Sequence, residues 1–442
     1  MLYSFQEVND MELKSRETYL EQLISFVDLK LVKVITGIRR CGKSSLLKLM
    51  VNHLKSQGVQ DEQIVEINFE SMQYYGWDNK KFYDFVMSKK IDGKMMYLFF
   101  DEVQRIADWQ IAVNSFMVDM ECDIYITGSN AFLLSSELST YLSGRYIEIK
   151  MLPLSFKEFA DFNDYTIIDT SSIEGTNKKV FYDKNNNVVQ TEELFDAYLK
   201  YGGMPSIMDV GLNQEKITAI LDGVYSAVVI RDILEREKRK DQRAITDAIL
   251  LRKLIMFLAD NIGNNTSATS IGNTLMNEGL LESRTKKPAT HTIQAYISAL
   301  TESYIFYEIK RFDIKGKEYL RTLGKYYIVD IGLRNYLLGF RNGDTGHILE
   351  NVVFFELLRR GYDVAIGKID NREVDFIATK TDEKKYIQVT ESMTSEETRK
   401  RELSPLEAIH DNYEKIVLTR DKTLFDDYNG IKIMNVIDFL LN

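Results

Sequence analysis

The chain has 442 residues, of which 45% are hydrophobic and 28% charged, and its formal net charge at pH 7 is −10. These proportions are typical of a globular protein, and the length predicts about three domains. With two cysteines and four histidines, the chain cannot build a disulfide scaffold, a cysteine-rich zinc site or a histidine-rich metal centre. It also lacks a signal-peptide pattern and any apolar run approaching roughly 18 residues. We therefore expect a soluble, cytoplasmic, multidomain protein with no membrane partner.

Residues 31–155 alternate short apolar runs with amphipathic segments. The runs 31–36, 64–69, 95–100, 123–127 and 146–151 are rich in β-branched and aromatic residues, and residues 45–55 and 109–120 have a helical pattern. Continuous apolar strands separated by helices indicate a parallel sheet that is covered on both faces. The first fold class predicted is therefore α/β.

Residues 37–44 read GIRRCGKS and match the phosphate-binding pattern G-x-x-x-x-G-K-[ST] between a predicted strand and a predicted helix. Backbone N–H groups of such a loop and the following helix N-terminus bind phosphate oxygens. We expect Lys43 to reach the β- and γ-phosphates of ATP and Ser44 to ligate Mg²⁺. The predicted nucleotide-binding residues are Gly37, Ile38, Arg39, Arg40, Cys41, Gly42, Lys43, Ser44 and Ser45.

Polar residues follow two further predicted strands. Asp101 and Glu102 end the apolar run MMYLFF, and Ser129 and Asn130 follow the run DIYIT. A carboxylate at a strand end can hold the metal through water, and its neighbour can activate the attacking water. We expect Asp101 to order the metal, Glu102 to act as the general base, and Ser129 or Asn130 to help orient the water, although a polar strand end alone would explain either of these two.

These residues resemble the Walker A, Walker B and sensor 1 elements of the AAA+ ATPases. The segments SGR (143–145), LPLSFKEF (152–159) and YGGMP (201–205) further resemble bacterial and archaeal ATPases with a DUF4143-type C-terminal region. The resemblance covers nearly the whole chain and implies a ring-like, hexamer-type homo-oligomer. By this analogy Arg145 is the candidate arginine finger for a neighbouring subunit, where its guanidinium would neutralise transition-state charge. A surface arginine is the alternative for Arg145, and Arg231 is a second candidate.

The remaining chain divides into three predicted regions after an ATPase core at 1–160: an insertion with a helical lid or linker (161–240), a winged-helix domain (241–345) and a C-terminal α/β domain (346–442). Residues 231–325 carry 17 Lys and Arg against 12 Asp and Glu, so one basic face can exist on an acidic protein. In a winged helix the third helix and the hairpin contact DNA. The predicted contacts are Lys286, Lys287, Thr290, His291, Thr292, Gln294, Lys315 and Lys317. A lid or protein-contact module is the alternative.

The C-terminal block resembles the PD-(D/E)xK nuclease fold, which binds Mg²⁺ through acidic residues and uses a lysine beside them. Glu350 and Asp375 match the acidic positions, but the last pair reads Gln388-x-Thr390 and lacks the lysine. We therefore expect a degenerate nuclease-like remnant of Glu350, Asp375 and Gln388 that binds nucleic acid or is structural.

The sequence thus leads to one main hypothesis and two alternatives. The main hypothesis is an oligomeric ATP hydrolase that uses Mg²⁺ and couples turnover to DNA binding or remodelling, including branched DNA such as Holliday junctions. The alternatives are a nucleotide-dependent switch or scaffold for protein partners, and an active DNA nuclease.

Overall fold

The five apolar runs predicted between residues 31 and 151 all form strands of one parallel sheet. The computed structural model describes residues 13–130, 142, 144–171, 177–235, 247–277, 289–341, 344–422 and 427–442. Two compact units are present, Met1–Met151 (unit 1) and Leu152–Asn442 (unit 2). The finer predicted divisions near residues 240 and 345 remain predictions.

Unit 1 is an α/β sandwich in which the five strands have the order β2-β3-β4-β1-β5. Its elements are α1 (Glu17–Ile24), β1 (Val32–Thr36), α2 (Lys43–Ser56), β2 (Ile64–Asn68), α3 (Asn79–Met87), β3 (Met96–Asp101), α4 (Trp109–Asp119), β4 (Cys122–Gly128) and β5 (Tyr146–Lys150). All neighbouring strands run parallel. Every residue of β1 and β3 is buried, because helices cover both faces of the sheet.

Aromatic rings fill one side of this sheet. Phe82 of α3 lies edge-on to Phe100 of β3 and to Phe116 of α4, with centroid separations of 4.8 and 5.3 Å. Edge-to-face contacts of this kind add to the stabilisation from apolar burial. The core therefore fixes β3, whose carboxyl end carries Asp101.

Unit 2 begins with elements that the sequence did not fully predict. They are α5 (Phe156–Phe162), β6 (Thr166–Ser171), β7 (Asn177–Tyr182), β8 (Val188–Val189), α6 (Thr191–Tyr201), α7 (Gln214–Ser226), a π-helical segment (Ala227–Glu235), α8 (Ala248–Asp260), α9 (Ala268–Asn277) and α10 (Thr290–Glu302). The insertion was expected to be a surface excursion, yet β6, β7 and β8 form an antiparallel sheet. This sheet has polar turns but a buried aromatic residue: Phe181 of β7 is fully buried and packs against Phe156.

The rest of unit 2 is built on an eight-stranded mixed sheet with the order β10-β9-β11-β12-β13-β14-β16-β15. Its elements are β9 (Phe306–Asp313), β10 (Glu318–Ile328), α11 (Ile331–Leu338), α12 (Thr345–Arg359), β11 (Asp363–Ile369), β12 (Arg372–Thr379), β13 (Lys384–Thr390), α13 (Glu396–Glu407), β14 (Glu414–Thr419), β15 (Asp427–Tyr428), β16 (Ile431–Asn435) and α14 (Val436–Leu441). The predicted hairpin β9–β10 therefore shares a sheet with the C-terminal strands. Arg311 of β9 pairs in parallel with Ile366 of β11, so the sheet crosses the division predicted at residue 345.

Two glycines bring separate parts of unit 2 into close contact. A Cβ atom on Gly203 would lie 2.3 Å from the Leu154 carbonyl oxygen, and one on Gly202 would lie 2.4 Å from Asp330 Oδ1. The Gly203 N–H donates to Asp330 Oδ2 at 2.6 Å. Only glycine permits this approach, which accounts physically for the YGGMP segment. Ser155 and Glu158 of the LPLSFKEF segment form a capping box that begins α5.

Candidate functional site

The loop between β1 and α2 has the backbone shape of a phosphate cradle. Gly37 has a φ of 145° and Gly42 a φ of 103°, in the region that favours glycine. A Cβ atom on Gly37 would lie 2.1 Å from the Met151 carbonyl oxygen. Gly42 directly precedes α2, so the free N–H groups of that helix end face the loop. The predicted strand–loop–helix arrangement is therefore present.

Lys43 lies inside this loop. Its side chain is buried, and Nζ donates to the carbonyl oxygens of Gly37 at 2.9 Å and Ile38 at 3.0 Å. The ammonium group therefore holds the loop closed by bonds that a phosphate oxygen can replace. Ser44 and Ser45, at the first turn of α2, are exposed, so the Ser44 hydroxyl is accessible to a metal ion.

The other loop residues differ in their exposure and in their ion pairs. Ile38 and Cys41 are fully buried, whereas Arg40 is exposed. Arg39 donates to Glu70, and Arg105 donates to the same Glu70 Oε1 at 2.9 Å. Burial by itself would raise the pKa of Glu70, but the charges of Arg39 and Arg105 lower that pKa below its ordinary value. One carboxylate therefore connects the loop to the segment that follows Glu102.

Asp101 is fixed at the carboxyl end of β3 by the two neighbouring strands. The Thr127 hydroxyl of β4 donates to Asp101 Oδ1, and the Asn68 amide of β2 donates to Oδ2 at 3.0 Å. Asp101 is 7% exposed. Because β3, β4 and β1 are adjacent and parallel, Asp101 lies at the same sheet edge as the loop that follows β1.

Glu102 adopts a left-handed backbone conformation (φ 55°), and its N–H donates to the Thr127 hydroxyl at 3.0 Å. Its Oε2 atom accepts hydrogen bonds from Gln104 Nε2 and from Ser129 Oγ, the latter at 3.3 Å. Ser129 and Asn130 are both buried beside it, at 2% and 7% exposure. The structure thus places Ser129 in contact with the predicted general base.

These residues fit ATP with Mg²⁺. Gly37 and Gly42 give the loop the backbone turns of a phosphate cradle, Lys43 supplies a cation beside it, and Asp101 and Ser44 offer oxygen atoms of the kind that Mg²⁺ prefers. The metal in such a site is bound by few protein ligands and by the phosphates themselves. In the ranges described above, no group of three or more His, Cys, Asp or Glu side chains is arranged to hold a metal ion without such help.

Arg145 lies away from the loop of its own chain. It directly precedes β5, whose first residue Tyr146 pairs with Val32 at the start of β1. The loop follows Thr36 at the other end of β1, so Arg145 lies at the amino edge of the sheet, roughly 15 Å away at about 3.3 Å per residue. The exposed Arg145 donates to Asn114 Oδ1 at 2.8 Å. The side chain of Arg231, the second candidate, lies outside the described residues.

Some of the predicted DNA-contact residues of unit 2 lie in the described part of the chain. At the start of α10, His291 and Gln294 are exposed. The neighbouring Thr290 and Thr292 are half-buried. Lys315, at the tip of the β9–β10 hairpin, pairs with Asp370 at 2.6 Å, and both Lys315 and Lys317 are exposed. Lys286 and Lys287 lie outside the described residues. The hairpin is thus one side of a sheet, with one of its two lysines in a surface ion pair.

The nuclease-like remnant is brought together in unit 2. Glu350 and Asp375 face one cavity of about 590 Å³ together with Gln388. The Lys325 ammonium from β10 lies beside the acids, 3.5 Å from Glu350 Oε2 and 4.0 Å from Asp375 Oδ1. A lysine side chain thus lies next to the carboxylates to which the resemblance assigns Mg²⁺.

Several residues of both sites were not predicted from the sequence. Gln104 and Thr127, which bond to the acidic pair, lie within recognised segments, but no role was predicted for either. Lys325 opens the apolar run YYIVD, and a lysine beside an apolar strand is ordinarily read as solvent-exposed. Lys325 approaches the acids only because β10 and β12 belong to one sheet.

Comparisons with known proteins agree with this geometry. Residues 30–160 match the family model described as AAA domain. Residues 192–344 match a domain of unknown function, DUF8612, where the motifs implied a DUF4143-type region. In the described part of the chain, no helix is both long enough and apolar enough to cross a membrane.

Two relatives extend over most of the chain. An uncharacterized protein of Haemophilus influenzae is 40% identical over 97% of this chain and 98% of its own length. The uncharacterized protein MJ1544 of Methanocaldococcus jannaschii is 29% identical over 86% of this chain and 80% of its own.

Among solved structures, the Aeropyrum pernix ORC2 protein (ADPNP–ADP complexes) covers 77% of this chain and 92% of its own, with 12% identity and a TM-score of 0.35. Likeness at that level carries no argument about function, so the assignment rests on the sequence relatives, the family model and the loop geometry. The chain belongs to one family with the Haemophilus influenzae protein, and its residues 30–160 match the AAA domain model.

Proposed function

We propose that the chain is an ATP hydrolase that uses Mg²⁺. The observation that carries this proposal is the position of Lys43, Asp101 and Glu102 at the carboxyl edge of three adjacent parallel strands. Bound ATP would supply the phosphoanhydride and Mg²⁺ the Lewis acid. Open α/β sheets bind ligands at this edge.

Each residue then has a separate task. Lys43 exchanges its bonds to Gly37 O and Ile38 O for phosphate oxygens, and Ser44 and Asp101 hold the metal directly or through water. Glu102 accepts the proton of the attacking water. Its Oε2 atom accepts a hydrogen bond from Gln104 in this structure, so we infer that Gln104 competes with the attacking water for this carboxylate oxygen.

Turnover of the wild-type chain tests this proposal, with Lys43→Ala as the site variant. We expect Mg²⁺-dependent phosphate release by the wild type and its loss in Lys43→Ala. Lys48→Ala is the matched control, because Lys48 is an exposed lysine of the same helix. Equal turnover by wild type and Lys43→Ala would contradict the proposal.

We further propose that the active form is a homo-oligomer, a hexamer-like ring, in which Arg145 completes the site of a neighbour. The supporting observation is that Arg145 lies at the sheet edge opposite to its own loop. A guanidinium that acts on phosphate must then come from another subunit.

Mixing two inactive variants tests the role of Arg145. Arg145→Ala chains retain their own Glu102, and Glu102→Gln chains retain the arginine, so one interface type in a mixed oligomer is complete. We expect the mixture to recover part of the activity that each variant lacks alone. A mixture as inactive as its components would refute a role of Arg145 between subunits.

The proposed coupling is to DNA, including branched DNA, through the start of α10. The support is the excess of Lys and Arg in residues 231–325 together with the exposure of His291 and Gln294. We expect single-stranded, duplex or four-way-junction DNA to stimulate ATP turnover, with binding that weakens as salt rises. Neither stimulation nor salt-dependent binding by any of these DNAs would refute the coupling.

One observation favours the alternative of a nucleotide-dependent switch or scaffold for protein partners. The hairpin β9–β10 pairs with β11, and Lys315 forms a surface ion pair with Asp370. A DNA-binding wing would ordinarily keep such a lysine free for phosphate. Under this alternative, ATP binding would change affinity for a protein partner while DNA would leave turnover unchanged.

A further inference from the structure

The cavity of about 590 Å³ in unit 2 is lined by several carboxylates. Glu350 of α12, Glu373 and Asp375 of β12, and Glu402 of α13 all face it. Glu350, Asp375 and Glu402 are each less than a tenth exposed. Buried carboxylates need a partner of opposite charge, because water no longer solvates them.

Lys325 of β10 supplies that opposite charge. Its side chain is 5% exposed, and Nζ lies 2.8 Å from Glu373 Oε1, 3.5 Å from Glu350 Oε2 and 4.0 Å from Asp375 Oδ1. Burial by itself would lower the pKa of Lys325, but the carboxylates of Glu350, Asp375 and Glu373 raise that pKa above its ordinary value. The ammonium therefore stays charged in the centre of the cluster.

The carboxylates also accept hydrogen bonds from uncharged groups. Glu350 Oε2 accepts from the Tyr327 hydroxyl at 3.0 Å, and Asp375 Oδ2 accepts from the Val389 N–H at 2.8 Å. The Gln388 amide, whose oxygen could have ligated a metal, instead accepts from the Asp375 N–H at 3.3 Å and donates to Glu402 at 2.9 Å. A metal ion would have to displace these bonds and approach an ammonium group at the same time.

We propose that Lys325 replaces a divalent metal as the counter-charge of Glu350, Glu373 and Asp375. The nuclease-like group of residues therefore holds no metal ion and does not cleave phosphodiesters. The lysine joins β10 to α12 and β12, and thereby fixes the β9–β10 hairpin to the C-terminal part of the sheet. Neighbouring carboxylates that are shielded from water repel one another strongly, and the ammonium group of Lys325 offsets this repulsion. The proposal concerns unit 2 and is independent of ATP hydrolysis by unit 1.

Counting bound Mn²⁺ ions by electron paramagnetic resonance, in the full chain without nucleotide, tests the proposal. We expect wild type and Asp375→Asn to bind the same number of Mn²⁺ ions. Lys325→Met removes the ammonium that lies nearest to Glu350, Glu373 and Asp375 together, so it should bind one Mn²⁺ more, and this gain should vanish in Lys325→Met with Asp375→Asn. Lys310→Met, which removes an exposed lysine of the same hairpin, should behave as wild type.

Three results would overturn the proposal. One is a wild type that binds more Mn²⁺ than Asp375→Asn. Another is DNA cleavage by the wild type with Mg²⁺ or Mn²⁺ that Asp375→Asn abolishes. The third is a folded Lys325→Met chain that gains no Mn²⁺. If Lys325→Met does not fold, the comparison of wild type with Asp375→Asn decides by itself.

Discussion

Replacing Asp123 by asparagine should destabilise unit 1 by about 3–5 kcal/mol, the usual cost of leaving one buried charge without its partner. Asp123 of β4 and Lys33 of β1 form an ion pair with 1% and 0% side-chain exposure. Asp123 also accepts from the Asp28 N–H at 3.0 Å and the Tyr125 hydroxyl at 2.8 Å. Asparagine can keep these two bonds but not the charge. Lys33 would then have only the Leu29 carbonyl oxygen, at 3.0 Å.

Urea unfolding followed by tryptophan fluorescence measures this effect in unit 1 alone. The two tryptophans of the chain, Trp77 and Trp109, both lie there. Glu121→Gln is the matched control, because Glu121 pairs with Lys30 at 3.6 Å while both side chains are exposed. Such exposed pairs contribute about 0–1 kcal/mol.

A second change separates the charge effect from simple loss of packing. Asp123→Asn combined with Lys33→Met removes both charges, and we expect it to recover most of the lost stability, since apolar replacements of buried pairs are often neutral. The reasoning would be refuted if Asp123→Asn unfolded at the same urea concentration as Glu121→Gln. It would also fail if the double variant were less stable than Asp123→Asn.

Three further predictions concern both units. Burial raises the pKa of Asp330 to about 6 from an ordinary 3.8. The protonated carboxyl of Asp330 therefore stabilises the folded chain fully below pH 3.8, and this contribution, roughly 3 kcal/mol, is lost as the pH rises through 6. Asp330→Asn should remove this part of the pH dependence of unfolding, and an unchanged dependence would contradict the prediction. Gln104→Ala should raise kcat without changing KM for ATP, because it frees Glu102, whereas Gln73→Ala should do neither; a fall in kcat would show that Gln104 positions the base. Cys41 is fully buried and burial raises the pKa of Cys122 to about 12, so an aromatic disulfide reagent should detect no thiol in the folded chain and two after denaturation.

The sheet of unit 1 and its phosphate loop could be predicted because their signals are local. A strand buried on both faces must be largely apolar, and β1, β3 and β4 meet that condition apart from the paired Lys33 and Asp123 and the polar residues at the strand ends. The loop needs glycine where φ is positive, and Gly37 and Gly42 stand there. Because these backbone requirements are local, they can be recognised from a few adjacent residues in the sequence.

Pairings between distant segments could not be predicted in the same way. The parallel pairing of Arg311 with Ile366 joins residues separated by a long stretch of chain, and it placed the hairpin in a sheet. The ion pairs of Lys325 with Glu350 and Glu373 depend on that sheet. The absence of a lysine at position 390 was therefore evident from the sequence, but the position of Lys325 beside Glu350 and Glu373 was not.

The antiparallel sheet of β6, β7 and β8 could not be predicted for a different reason. The Asn, Asp and Ser residues between 160 and 192 favoured a surface excursion. Asp183 accordingly makes a turn by accepting from the N–H groups of Asn185 and Asn187, both at 2.8 Å. Phe181, which is buried, outweighs the polar composition because one large aromatic side chain can anchor a short strand.

The most direct test of the account is the separation of ATP binding from turnover in Glu102→Gln. The structure places Glu102 beside Ser129 and Gln104 at the sheet edge that carries Lys43. We predict that Glu102→Gln binds ATP with Mg²⁺ as tightly as the wild type but releases phosphate at least a hundredfold more slowly, the usual scale of a lost general base. Glu102→Gln with wild-type turnover would contradict the central claim that Glu102 activates water in this site.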